Sequence, residues 1–330
     1  MSTTKKVLII VGSVMLVCLI AAGIIIGTSY SRIGSHGWFG FFSSQSREID
    51  ESALLDLSGV DTVNVECVSG KINIAPGEPG AKLTGSILTS SPKESYLSVQ
   101  KDGDTLTVKF DADVIFPQTI SADVTLSVGL PEDVMANLNV SGASANTDLS
   151  GFTLKDVKID SASGATRLSG CKGSSLKINV ASGSIDVNGA DFENVGVGCI
   201  SGNVEVEDVS GDVTVSSTSG TVSITDALGE VSVNNISGTV FVTQQQQELK
   251  AIHVGVTSGG VKVKLNPDAA FDLDVNSTSG GFNTDYDVTV SGSLSKNIVG
   301  EKISGKVNGG GALVDLSTVS GGISLSKISE

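Results

Sequence analysis

Histidine, proline, aromatic residues and basic charge are all scarce in this 330-residue chain. Its two histidines, His36 and His253, lie far apart, so a Ser-His-Asp triad could rest only on His253, and no motif marks a serine as its partner. No Gly-x-Ser-x-Gly elbow, phosphate loop or His-Glu-x-x-His appears. Four cysteines (Cys18, Cys67, Cys171 and Cys199) include no Cys-x-x-Cys, which removes zinc-ribbon and thioredoxin-type chemistry. Lys+Arg 21 against Asp+Glu 36 gives a net charge of −15, the wrong sign for a nucleic-acid binder. The same balance predicts repulsion from anionic lipid heads. Aromatic content of 4% fits a thin core filled by Val, Ile and Ala. These scarcities point away from an enzyme: no catalytic, cofactor-binding or metal-ligating residue is expected.

What the chain has instead is a returning Ser-Gly dipeptide. Ser141, Ser163, Ser182, Ser201, Ser219, Ser237, Ser258 and Ser279 each precede a glycine, at steps of 22, 19, 19, 18, 18, 21 and 21 residues. Apolar side chains then fall at every second position, as in Ile185/Val187, Val204/Val206, Val222/Ile224 and Val240/Val242. That period marks a strand with one buried face. A second glycine follows half a unit on (Gly170, Gly189, Gly211, Gly229), with another alternating strand after it. Such a unit cannot bury its apolar face alone, so copies must stack. The expected fold is all-β: a β-solenoid with repeats of about 18–22 residues, a β-rich N-terminal cap, and one transmembrane α-helix in front. An antiparallel sandwich is the rival, since it too gives short strands at even spacing.

In chain order, residues 1–6 read as a cytoplasmic tail and residues 7–27, free of charge, as a membrane span. Lys5 and Lys6 hold its start inside by the positive-inside rule. The apolar run exceeds a signal-peptide core, and Cys18, preceded by Val17, is no lipobox cysteine. Gly23 and Gly27 carry a small-xxx-small pattern compatible with weak self-association. Residues 28–49 read as a linker whose Trp38, Phe39, Phe41 and Phe42 suit the lipid interface. A β-rich cap layer is expected over 50–138, with a hairpin turn at Asp102-Gly103 and a strand stopped by Pro131. Residues 139–330 carry the solenoid repeats, with 50–330 as one continuous domain. Gln244–Gln247 read as a loop bulging where the spacing widens, and Ser320-Gly-Gly-Ile-Ser-Leu, 41 residues after Ser279, as a late, irregular coil.

Outward positions after the corner run Asp186, Glu205, Ser223, Phe241, Lys262 and Asn283. Asp186 and Glu205 should stack one coil apart, about 5 Å, and paired carboxylates are what a polysaccharide-cleaving β-helix uses. The column turns to Ser and Phe, however, so no acidic groove forms, and two solvated surface charges are the plainer expectation. Gly309-Gly-Gly-Ala-Leu-Val-Asp315 only faintly echoes a calcium-binding nonapeptide. Cys171 after a mid-unit turn and Cys199 before a corner occupy different places, so no bridge between them is expected.

Leu57-Ser-Gly-Val-Asp-Thr-Val-Asn-Val, Asp104-Thr-Leu-Thr-Val, Val128-Gly-Leu-Pro-Glu-Asp and the Ser-Gly-x-Val-x-Val units together resemble the DUF4097 putative adhesin family over about residues 50–325. The resemblance implies a β-strand-repeat ectodomain, tethered to the cell membrane, and brings no catalytic residues with it. The expectation is a single-pass membrane protein, N-terminus cytoplasmic and C-terminal domain extracellular. It would act as a surface scaffold touching envelope glycans, surface polymers or a membrane protein partner. A polysaccharide-acting enzyme using Asp186/Glu205 and an accessory subunit of an envelope-stress complex are the alternatives.

Overall fold

The structure, a computed structural model, describes residues 45–89, 92–112, 119–290, 295–296 and 301–329. The expected membrane span over 7–27, Cys18, His36 and the aromatic linker lie outside these residues. Every regular element described is a β-strand. The chain divides into two compact units, with the boundary at Ser182/Gly183.

In the unit before that boundary, eight strands carry the description: β1 (Gln45–Leu54), β2 (Thr62–Pro76), β3 (Gly80–Thr89), β4 (Leu97–Asp102), β5 (Thr105–Phe110), β6 (Thr119–Leu130), β7 (Asn137–Ser150) and β8 (Asp156–Ser163). Two long bent strands, β2 and β7, each turn a corner and pair in parallel along both arms, from Thr62↔Asn137 to Ile74↔Leu149. The strand β8 then pairs with the first arm of β7, and Thr166–Ser169 with its second. The free side of β2 is covered by β5 on one arm and β6 on the other, both parallel. Antiparallel strands finish the covering: β4 on β5, β3 on β6 and β1 on β3. Backbone donors of β2 are thus paired instead of left as an open edge. Asp102 and Thr105 flank the β4–β5 turn, where Gly103 takes φ +60°, and β6 ends at Leu130 just before Pro131.

Glu51 of β1 ties this covering together. Its carboxylate accepts the backbone N–H of Leu97 at 2.8 Å and of Tyr96 at 2.9 Å, and the Ser95 hydroxyl at 2.7 Å. Burial alone would raise its pKa, but those donors, with Arg47, outweigh it and hold the carboxyl below its ordinary range.

In the unit after the boundary, each coil is a strand, a Ser-Gly corner, a second strand and a turn. Successive coils pair in parallel and in register. One ladder runs Val195, Val213, Val231, Ile252 and Val314, the other Val204, Val222, Val240, Val261 and Ile323. All ten side chains are buried. Each contributes on the order of 2 kcal/mol of burial, and none can be covered without the next coil. Parallel stacking, not back-and-forth hairpins across facing sheets, builds the repeat. The expected loop begins one residue late, at Gln245, between strands Val240–Gln244 and Ile252–Ser258, because Gln244 closes its strand and is buried.

The corners show why Ser-Gly recurs. Gly202, Gly220 and Gly238 take φ between +127° and +148°, where L side chains rarely sit. A Cβ on Gly220 would stand 1.9 Å from the Gly202 carbonyl oxygen. Each corner glycine donates its N–H to the serine carbonyl of the next coil, as in Gly202 to Ser219 and Gly220 to Ser237, both 3.1 Å. Inside the corner runs a buried column of small groups, Cys199, Ser217, Asn235, Val256, Thr318 and Ser277. Asn235 uses its side chain there to satisfy corner backbone, donating to Gly220 and accepting from Ser237. In the other unit Cys67 stacks on Gly142, which stacks on Ser161. Cys67, Cys171 and Cys199 are buried. Burial pushes the Cys67 thiol up to about 11 and raises that of Cys171.

Two expectations need correction. Ser141-Gly142 is not a corner: Ser141 pairs with Asp160 inside β7, and Ser144 stacks on Ser69 and Ser163 at the bend. Ala145 therefore takes the place usually held by glycine, and Ser69-Gly70, φ +110°, is a corner of β2. The step of 22 vanishes, because Ser144 lies 19 residues before Ser163. The second correction concerns coil order. Strands Ala312–Ser320 and Ile323–Lys327 do not stack beyond coil 271–284 but between it and coil 252–265. The outer side of Phe271–Ser279 is then closed by Glu301–Val307, antiparallel.

Candidate functional site

Alternation sends every second side chain outward, and in-register stacking sets those side chains in columns about 4.8 Å apart. The column predicted to begin at Asp186 and Glu205 exists, since these two are direct neighbours in the parallel ladder. It continues through Ser223, Phe241 and Lys262, then reaches Ser324 before Asn283, because of the inserted coil. A second column, missed in the sequence, runs beside it: Asn188, Glu207, Thr225, Thr243, Lys264 and Ser326. The two were separable from the start, because positions two apart on a strand share a face.

Together the columns grade from carboxylates (Asp186, Glu205, Glu207) through hydroxyls to lysines (Lys262, Lys264). Phe241 stands between, 36% exposed, with the Lys262 Nζ 5.2 Å from its ring centroid. The Asn188 amide donates to Glu207 at 3.0 Å, which fixes the acidic end. Such a face offers hydroxyl, amide and carboxylate partners to a polyhydroxylated ligand and one apolar ring to lie on.

On the opposite face stack Thr214, Ser232, His253, Asp315 and Asp274. His253 faces carboxylates on both ring nitrogens, Nε2 to Glu230 and Nδ1 to Asp315, each at 3.6 Å. Asp274 accepts from the Ser304 hydroxyl at 3.1 Å. Sequence reading isolated His253 but not these acids, because Asp315 reaches it only through the insertion. Among the described residues, no three His, Cys, Asp or Glu side chains group to hold a metal ion.

Two-strand coils stacked in parallel register around corner glycines define a solenoid-like β-repeat protein. The family model DUF4097, described as Toastrack, matches residues 60–326, and the chain belongs to that family. Among curated proteins none matches. Solved structures similar to it include a putative adhesin from Parabacteroides distasonis, 14% identical, covering 88% of this chain and 98% of that one, TM-score 0.37. A putative adhesin from Bacteroides fragilis is 9% identical, with 86% and 97% coverage and TM-score 0.36. A putative lipid binding protein from Parabacteroides distasonis is 15% identical, with 87% and 98% coverage and TM-score 0.32.

Proposed function

We propose that this chain is a membrane-anchored, non-catalytic surface scaffold that binds envelope glycans or other surface polymers through the graded face around Phe241. The single supporting observation is that face: regular rows of hydroxyl, amide and charged groups, with one exposed ring among them. Repetition suits a polymer, whose many weak contacts add once both partners are held in place. The charge-free run over residues 7–27, behind Lys5 and Lys6, supplies the anchor and puts the repeats outside.

The test is binding of the full chain, in mild detergent, to a panel of envelope glycans and to intact cells. Phe241→Ala should weaken binding about tenfold, near 1.4 kcal/mol, and Lys262→Glu should weaken binding to anionic polymers most. Unchanged binding by both variants would move the contact elsewhere. Glycan turnover abolished by Asp186→Ala would instead promote the stacked Asp186/Glu205 pair to an enzyme's carboxylates. Capture of a membrane protein, lost when residues 7–47 are replaced by another anchor, would favour an accessory subunit. Protease added to intact cells should digest residues 45–330; protection would overturn the orientation.

A further inference from the structure

Coils 252–265 and 271–284 are neighbours in sequence but not in space. The connection between them, Asn266–Ala270, steps over one coil position, about 9.6 Å for two spacings, and leaves a slot with two strand edges facing each other. Residues 312–327 fill it. They bond to one wall through Gly259 N–H to the Ser320 carbonyl at 2.8 Å and Val261 to Gly322 at 3.0 Å. Gly321 to Ser279 and Ile323 to Gly281, both 2.9 Å, bond them to the other. Val314, Leu316, Ile323 and Leu325 complete the core columns.

Two further features surround the slot. Tyr286, beyond the outer wall, reaches back to the inner one. Its hydroxyl lies 2.8 Å from the Leu265 carbonyl oxygen and 2.9 Å from that of Asn266, and its ring meets Phe271 edge-on at 5.4 Å. Lys327 of the inserted coil rests on that ring, Nζ 5.2 Å from the centroid. Just before the inserted coil comes Asn308-Gly309-Gly310-Gly311, which carries the chain round the end of Phe271–Ser279 from its outer side to its inner side. Asn308, Gly309 and Gly310 have φ of +49°, +97° and +87°. A Cβ on Gly310 would meet Asp272 at 2.5 Å, and one on Gly311 the Ala270 carbonyl at 2.6 Å.

We propose that this slot is a coil-exchange site, filled by residues 312–327 either of the same chain or of a second copy, so that two copies join by trading coils. Every bond the coil makes in its own chain is reproduced when an identical chain supplies it, so the exchange has no enthalpic cost beyond the hinge. The glycine hinge sets the balance: tightly turned, it returns the coil to its own slot; extended, it delivers the coil to a neighbour. Two unpaired parallel edges are the strongest attractor the unit offers to another strand. The site recognises one chemistry, a strand–corner–strand segment with small apolar side chains alternating inward. Coupling of copies this way is independent of what the outer face binds.

The test uses the full chain carrying Gly255→Cys with Ser317→Cys, which are direct partners across the slot. A side chain at Gly255 meets Asn234 Oδ1 at 3.4 Å and Ser317 Oγ at 3.5 Å, so the pair fits. Oxidised after refolding, the bond lies within one chain when the coil stays home and joins two chains when it is traded. With an effective concentration near 1 mM for return to its own slot, refolding at about 100 µM should give roughly a tenth covalent dimer. That dimer should fall in proportion on dilution and be absent with Ser317→Cys alone. Removing Gly309 and Gly310 should make it the main species. Covalent monomer at every concentration, or a folded monomer from the shortened hinge, would overturn the proposal. Should the shortened chain not fold, the paired-cysteine dilution series still decides it.

Discussion

Replacing Gly220 by alanine tests the corner account most directly. The new methyl would sit 1.9 Å from the Gly202 carbonyl oxygen, on a residue with φ +127°. An L residue in that region costs on the order of 1–3 kcal/mol. Relieving the overlap also stretches the two corner bonds, Gly202 to Ser219 and Gly220 to Ser237, at about 1 kcal/mol each. The expected loss is about 3–5 kcal/mol, a third or more of a typical domain's stability. Gly281→Ala is the control within the same unit: its φ is not in the left-handed range and nothing lies within 4 Å of the added methyl. Urea unfolding of both variants and the parent, followed by far-ultraviolet circular dichroism, reads the difference. At a slope near 3 kcal/mol/M the Gly220→Ala midpoint should fall by about 1 M or more, while Gly281→Ala stays near the parent. Equal midpoints for the two variants would refute the claim that stacked backbone, and not chain flexibility, demands glycine here.

Other consequences can be measured as readily. Tyr286, whose pKa is pushed to about 12 by burial and then by Asp285 and Asp268, keeps its proton in the folded state while the unfolded phenol ionises near 10. Stability should therefore drop as pH rises through that interval, and Tyr286→Phe should flatten this alkaline limb in pH-dependent urea titrations. Glu51 has the opposite sign: its lowered pKa adds stability above the ordinary carboxylate range, lost as pH falls through the folded value. Glu51→Gln should lose the part of the acid limb that Glu51 contributes. Cys67, Cys171 and Cys199 should react with a thiol reagent only on denaturation, and Cys199→Ser should cost about 1 kcal/mol or less, because Ser217 occupies the same column. A bulky Cys199→Leu should cost more, as overpacking does.

Much of the coil was legible because a period of two within strands and a glycine at each bend are local demands. Val204/Val206 and Val222/Ile224 announce their faces without reference to any partner. The hairpin at Asp102-Gly103 was readable for the same reason. Register between coils was less so. Ser141-Gly142 satisfied the pattern by letters, yet the bend fell at Ser144, where burial of Val140 and Leu149 on either side requires it. The order of coils was not legible at all. A gap of 41 residues after Ser279 reads equally as two periods onward or as a return, and only pairing with both Ile252–Ser258 and Phe271–Ser279 distinguishes them. The face was half visible: the Asp186 column could be listed, but Lys262 meets Ser324 only because of that return.

The displaced coil also bears on biosynthesis. Synthesis proceeds from the amino end, so both walls of the gap emerge from the ribosome before the segment that separates them. A chain stopped anywhere between those walls and residue 327 lacks an interior rung and leaves the facing edges of both walls without their partner strands. The arrangement makes translation through residue 327 a condition for burial of segments made long before.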